Sequence, residues 1–186
     1  MGFDRMLKDR ILKIVANSCR LKRVKTYIWD ILVNSVLASY FVPLFMRRLI
    51  LNFCGAKCFG TIHAHCYIAS NKLNLANGCY INRGCIIDNE NALVSIGEYC
   101  SIGFGVMLLT TNHDISNPVK RGGAVKAKPI KIENGVWIGA GAKIMPGVCI
   151  QEGAVIAAGS IVTKNVPANN LYAGVPARKI RDCEDK

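Results

Sequence analysis

"PIKIENGVWIGAGAKIMPGVCIQEGAVIAAGSIVTKN", Pro129 to Asn165, repeats itself every six residues. Ile132, Ile138, Ile144, Ile150, Ile156 and Val162 fall six apart without a miss, and Gly135, Gly141, Gly147, Gly153 and Gly159 form a second series of the same period. Neither the 3.6 of a helix nor the 2 of a strand yields six, so the repeat is read before local propensity. A short strand plus a turn uses one unit, and three units close a flat-sided triangular coil. One aliphatic per unit then points inward, Ile132 beneath Ile150 and Ile138 beneath Ile156. The glycines ease the corners, where positive φ or close backbone approach is cheap. No coil buries its inner face alone, so stacking supplies the core and the ends need caps.

Working upstream, Ile96, Ile102 and Leu108 keep the same spacing, and Leu108 to Ile132 spans 24 residues, four whole units. The register therefore survives the interruption, and residues 110–129 are expected to leave the coil as an extruded loop. Earlier, Ile62 and Ile68 form one series, while Leu75, Ile81, Ile87 and Leu93 form another that is offset. From about Asp4 to Phe53 the pattern is helical, with Trp29, Val33, Val36, Leu37, Tyr40, Phe41, Leu44 and Phe45 at spacings of three and four. The sixteen uncharged residues Ile31 to Met46 fall short of the ~20 a spanning helix needs, and contain Asn34 and Pro43. Arg5, Lys8, Arg10, Lys13, Arg20, Lys22, Arg23 and Lys25 precede them, and Arg47 and Arg48 follow. Such helices would cap the coil or rest on an anionic bilayer. The expected division is helical residues 1–58, a repeat domain over 59–166 with the loop 110–129, and a C-terminal tail over 167–186.

The chain carries 24 Lys and Arg against 12 Asp and Glu. That balance suits nucleic acid, an anionic membrane or a phosphorylated ligand. Aromatics are not interleaved with basic clusters, and no nucleic-acid-binding motif is present, so no nucleic-acid partner is expected. The nine cysteines are odd in number and lack paired C-x-x-C units. They read as small, buried, reduced thiols, with no metal site. The first dozen residues mix charged and apolar groups unlike a secretory leader, and a cytoplasmic protein, peripheral at the membrane's inner face if the helices touch it, is expected.

"VWIG", "AGSIVTK" and "AGVPAR", in that order, resemble the hexapeptide-repeat acyltransferases. The resemblance is strongest to the maltose, galactoside and Nod-factor O-acetyltransferases and their relatives acting on bacterial surface polysaccharides. It covers roughly Gly60 to Asp182 and leaves the N-terminal helices outside. It implies a mainly β fold, a left-handed parallel β-helix. It also implies a homotrimer with active sites between subunits, and acetyl-coenzyme A as cosubstrate in a groove between coils. By the same resemblance His113 in "TTNHD" is the general base, and Trp137 flanks the pantetheine arm. Ala140 and Ala158 line the coenzyme groove, and Thr163, Lys164, Arg178 and Arg181 hold its adenosine and phosphate end. Asn82 and Asp88, in "INRGCIID", bind the acceptor, although their spacing departs from the family pattern.

The chemistry of the residues agrees. A sugar hydroxyl is a poor nucleophile and must lose its proton as it attacks a thioester. Histidine, with an unperturbed pKa of about 6.5, suits that near neutral pH. Thiolate leaves readily, so direct attack in a ternary complex needs no acyl-enzyme, and a backbone N–H could steady the oxyanion. Asp114 adjoins His113, but neighbouring side chains diverge. The expected activity is acetyl transfer to a sugar hydroxyl in glycan or surface-polysaccharide synthesis. The alternatives are another acceptor (an amino-sugar amine, serine or an antibiotic hydroxyl) and a non-catalytic solenoid binding module. A zinc enzyme on the same solenoid would need three converging histidines, and two of the three present, His63 and His65, sit at the coil's start.

Overall fold

In the computed structural model, which describes residue 21 and residues 23–183, the chain is a left-handed parallel β-helix of five coils. The first face stacks Lys57–Cys58, Leu73–Leu75, Val94–Ile96, Ile130–Ile132 and Cys149–Ile150. The second stacks Thr61–Ile62, Tyr80–Ile81, Ser101–Ile102, Trp137–Ile138 and Val155–Ile156, and the third Tyr67–Ile68, Ile86–Asp88, Met107–Leu109, Lys143–Ile144 and Ile161–Val162. Ile132 pairs with Ile150, Ile138 with Ile156 and Ile144 with Val162, so the six-residue period is the side of a triangle. These aliphatics are buried, and the five glycines of the second series all have positive φ.

Besides the one residue inserted between Ile68 and Leu75, which offsets the first series, two departures from strict period shape the coils. Leu75, Ile81 and Ile87 lie beneath Ile96, Ile102 and Leu108. The extra residues bulge out at the corner after Asp88. Leu93, expected to continue the inward series, is 38% exposed there, and Val94 takes the interior instead. The other departure is the loop. Ile96 pairs with Ile132, twice the separation of Ile132 and Ile150, so one coil's worth of chain is extruded. Its neck is closed by Lys128 N–H to the Thr110 carbonyl at 2.9 Å, and by antiparallel pairing of Thr111–His113 with Val125–Ala127.

The first coil is an edge whose backbone N–H and C=O groups would otherwise face water or an apolar neighbour. Side chains from the preceding segment take the place of a strand. Asn34 accepts from Ile68 N–H at 2.9 Å and donates to the Ile68 carbonyl at 3.1 Å. Asn52 does the same at Cys58, at 2.6 and 2.8 Å. A primary amide offers both a donor and an acceptor, so it imitates a peptide group. Trp29 Nε1 also donates to the Ile68 carbonyl, at 2.6 Å. Arg47 is 1% exposed and its guanidinium donates to the carbonyls of His63 and Cys66. Burial pulls its pKa below the ordinary value.

The segment carrying these groups is not one helix. Asp30–Val36 is π-helical, the chain turns through residues 37–42, and helix α1 runs Leu44–Phe53 behind Pro43. The helical turns end at Leu37, six residues before Pro43, which stands at the start of α1, so the stripe expected over Trp29–Phe45 breaks. Val33 and Leu37 pack inward, while Val36, Tyr40, Phe41, Leu44 and Phe45 are exposed. Arg47, expected among the flanking surface cations, is inside. Expectations for residues 1–20 and Lys22 lie outside the described residues.

Lys57–Cys58, within the segment 1–58 assigned to helices, is already the first coil strand. At the other end the described residues 167–183, expected as a tail, include two strands. Asn170–Gly174 pairs in parallel with Val155–Ile156 and turns back against Ala177–Asp182. Cys58, Cys66, Cys79, Cys85 and Cys100 are buried free thiols, whereas Cys54, Cys149 and Cys183 are half-buried; Cys19 lies outside the described residues. Asn52→Leu is expected to lower the free energy of unfolding by about 2–4 kcal/mol, because two groups of Cys58 lose their partners. Asn71→Ala, which removes one exposed bond to the Cys54 carbonyl, should change it by less than about 0.5 kcal/mol. Urea titration of both variants checks the difference.

Candidate active site

His113 ends the outgoing strand of the loop hairpin, paired with Val125. Its ring is exposed, and Nδ1 lies 3.1 Å from the Gly123 carbonyl oxygen. A carbonyl oxygen only accepts, so Nδ1 carries a proton, and in the neutral ring the lone pair is on Nε2. Gly123 is held in turn by its N–H to the Asp114 carbonyl at 2.9 Å, and Asp114 N–H reaches the Ala124 carbonyl at 2.8 Å. A Cβ on Gly123 would stand 2.8 Å from that Asp114 oxygen, so no larger residue fits without moving the hairpin. The partner of the imidazole is thus a backbone carbonyl ten residues on. No side-chain pattern in the sequence marks it.

Asp114 faces the other way. Its carboxylate accepts from Ser116 N–H at 2.9 Å and pairs with Lys126 Nζ at 3.2 Å. The Ser116 amide and then Lys126 hold it below the usual carboxylate range. It does not orient the imidazole.

Asp88 lies at the root of the loop. Its carbonyl accepts from Thr110 Oγ1 at 2.7 Å, and its carboxylate from Thr111 N–H at 3.3 Å. Thr163 and Lys164, both exposed, follow Ile161–Val162 at the far end of the third face. His113, Asp88, Thr163 and Lys164 therefore share the edge between the third and first faces.

The remaining residues assemble elsewhere. Trp137 stands 56% exposed on the second face, in one row with Val155, Leu171 and Arg181 across successive strands. Ala140 and Ala158 are exposed, one above the other, at the corner between the second and third faces. Their backbones pack closely on glycines: a Cβ on Gly139 would come 2.5 Å from Ala158 N, and one on Gly103 2.7 Å from Ala140 N. Arg178 pairs with Ala173 beside that corner, and Asn82 occupies the same corner two coils earlier, its Oδ1 accepting from Arg83 N–H at 2.9 Å. The result is a strip parallel to the coil axis, aromatic at one end, small-walled along its length and flanked by two arginines. In a single chain the whole third face separates it from His113.

No group of three His, Cys, Asp or Glu side chains among the described residues could hold a metal ion. Cys58 is pushed up to about 11 by burial and offers no thiolate.

Residues 129–164 match the family model described as bacterial transferase hexapeptide (six repeats). A solved galactoside acetyltransferase in complex with coenzyme A is 30% identical and superposes with a TM-score of 0.74, over 89% of this chain and 82% of that one. The chain belongs to the hexapeptide-repeat acetyltransferases. A maltose O-acetyltransferase from Clostridium difficile 630 superposes on this acetyltransferase family member with a TM-score of 0.71 at 26% identity, covering 88% of this chain and 87% of that one. Galactoside O-acetyltransferase from Escherichia coli K12 is 38% identical over 116 residues, 62% of this chain and 57% of that protein. The matched stretches span 46%, 57% and 65% of the curated relatives' lengths.

Under an acyl-transfer reading with His113 as base, Gly123→Val is expected to reduce kcat by about 10–100-fold with little change in KM for the acyl donor, since it moves the hairpin that holds the His113 ring. Asp114→Asn should change kcat by less than about threefold. Steady-state kinetics of the two variants measure the contrast.

Proposed function

We propose that this protein is an acetyl-coenzyme A-dependent O-acetyltransferase acting on a sugar hydroxyl. The observation that carries the reading is the exposed His113 imidazole, held through Nδ1 by the Gly123 carbonyl so that Nε2 faces out as a base. The acceptor hydroxyl gives its proton to Nε2 as its oxygen attacks the thioester carbonyl. The carbon–sulfur bond breaks in the collapse, and the imidazolium returns its proton to the departing thiolate. The acyl donor supplies a good leaving group, and no covalent acyl-enzyme is needed. Trp137, Ala140, Ala158, Arg178 and Arg181 form a strip suited to an elongated, phosphorylated donor, where small side chains leave room and arginines meet phosphate.

The site residues stand on two edges of the prism, and two copies of the chain complete one site. One subunit brings His113, Asp88, Thr163 and Lys164. Its neighbour brings the Trp137 strip and Asn82, and a cyclic homotrimer closes the arrangement with three sites. Asn82 and Asp88 bind the acceptor in this reading, although the Asp88 carboxylate also anchors the loop. The acceptor is a bacterial surface glycan or its precursor, and the enzyme works on the cytoplasmic side. An amine acceptor would use the same base, and a panel containing amino-sugars distinguishes the two.

Thiol release from acetyl-coenzyme A against a panel of sugars, nucleotide sugars and glycans tests the activity. His113→Ala is expected to fall by about 10²–10⁴-fold, and undiminished turnover in it would remove the reading. Mixing His113→Ala with Arg178→Ala/Trp137→Ala chains, unfolding and refolding together, should restore part of the activity that neither has alone. Additive inactivity in the mixture would place each site within one chain.

A further inference from the structure

Helix α1 buries one side and leaves an apolar stripe on the opposite one. Arg47 and Leu51 seat it on the first coil, while Phe45, Leu49 and Phe53, one helical turn apart, face outward and are exposed. In the turn that enters the helix Phe41 is 98% exposed, and Phe53 at its end is 92% exposed. Val36, Tyr40 and Met46 are exposed around them. An exposed apolar face rimmed by charge marks a contact surface.

The charge around the face is one-sided. Arg23, Lys25, Arg48 and Lys57 are exposed. The one acidic residue from 21 to 57 is Asp30, whose carboxylate accepts from Asn34 Nδ2 at 2.8 Å. Over residues 1–57 the sequence carries eleven Lys and Arg against three Asp and Glu, eight of the net +12. Two copies meeting face to face on this patch would set like charges together. An anionic bilayer answers both properties, with acyl chains for the aromatic stripe and headgroups for the cations. Among the described residues no helix is long and apolar enough to cross a membrane, so the contact lies in the interface.

We propose that the capped end of the β-helix is a peripheral docking surface for anionic membranes, with Phe41, Phe45, Leu49 and Phe53 entering the interface. The His113 loop leaves the third coil and Trp137 lies on the fourth. At about 4.8 Å per coil the site stands some 10–14 Å along the axis from the docked end. A glycan carried on a lipid would rise to that height. This last use rests on the acetyl-transfer reading; the docking does not.

The full chain is sedimented with phosphatidylcholine vesicles, with and without phosphatidylglycerol, at low and high salt. The same is done for the combined Phe41→Ser, Phe45→Ser, Leu49→Ser and Phe53→Ser variant. Co-sedimentation of the wild type with the anionic vesicles, weakened by salt and reduced at least about tenfold in the variant, is expected. The variant should keep the wild-type gel-filtration volume and soluble thiol release. Absence of wild-type binding to anionic vesicles, or equal binding by the variant, overturns the proposal. A variant that changes assembly state also overturns it and assigns the stripe to a subunit contact. Thiol release is read on both proteins without vesicles, so failure of docking and failure of the acetyl-transfer reading show separately.

Discussion

Every backbone hydrogen bond between coils runs along the axis of this β-helix, so each coil depends on the one above and the one below. Inside the stack the demand is met automatically by the regular period. It becomes a problem at the first coil and where coil length changes. There the chain uses side-chain amides as peptide substitutes: Asn34 at Ile68, Asn52 at Cys58, and the fully buried Asn89, which accepts from Ser70 N–H and donates to the Ser70 carbonyl, each at 2.9 Å. Arg47 completes the cap with two carbonyl bonds, while its buried Nε has no partner, so desolvation is only partly offset. At the first coil these groups take hydrogen bonds that a further strand would otherwise supply.

The same constraint makes the loop harmless to the scaffold. Because the extruded length equals one coil, the faces resume in register beneath Ile130–Ile132. The hairpin can then be shaped by local needs, here the reach of the Gly123 carbonyl to His113 Nδ1. A rigid solenoid and a short closed neck hold that geometry, which a free loop would not. His113 and the Trp137 strip lie on different edges of the prism, and the proposed assembly rests on that separation.

Much of the fold was legible because its signal is periodic. Ile132 through Val162 declared coil size, inward positions and stacking partners before any contact was known. Where the period failed, so did the reading: Leu93 looked inward by counting, yet the bulge after Asp88 hands the interior to Val94. The N-terminal stripe misled for a related reason. Its spacing was helical, but the turn over residues 37–42 splits it, and Phe41 and Phe45 turn out from the protein.

The sequence by itself determined the repeat and its register across the interruption, because side-chain type and spacing alone encode them, while the candidate site residues came from a family resemblance. Tertiary structure decided which of those residues share an edge, that Arg47 is a buried cap, and that a glycine carbonyl rather than Asp114 orients His113. Backbone carbonyls are identical in every residue, so no sequence pattern distinguishes the one that matters. Its direction exists only once the hairpin has folded.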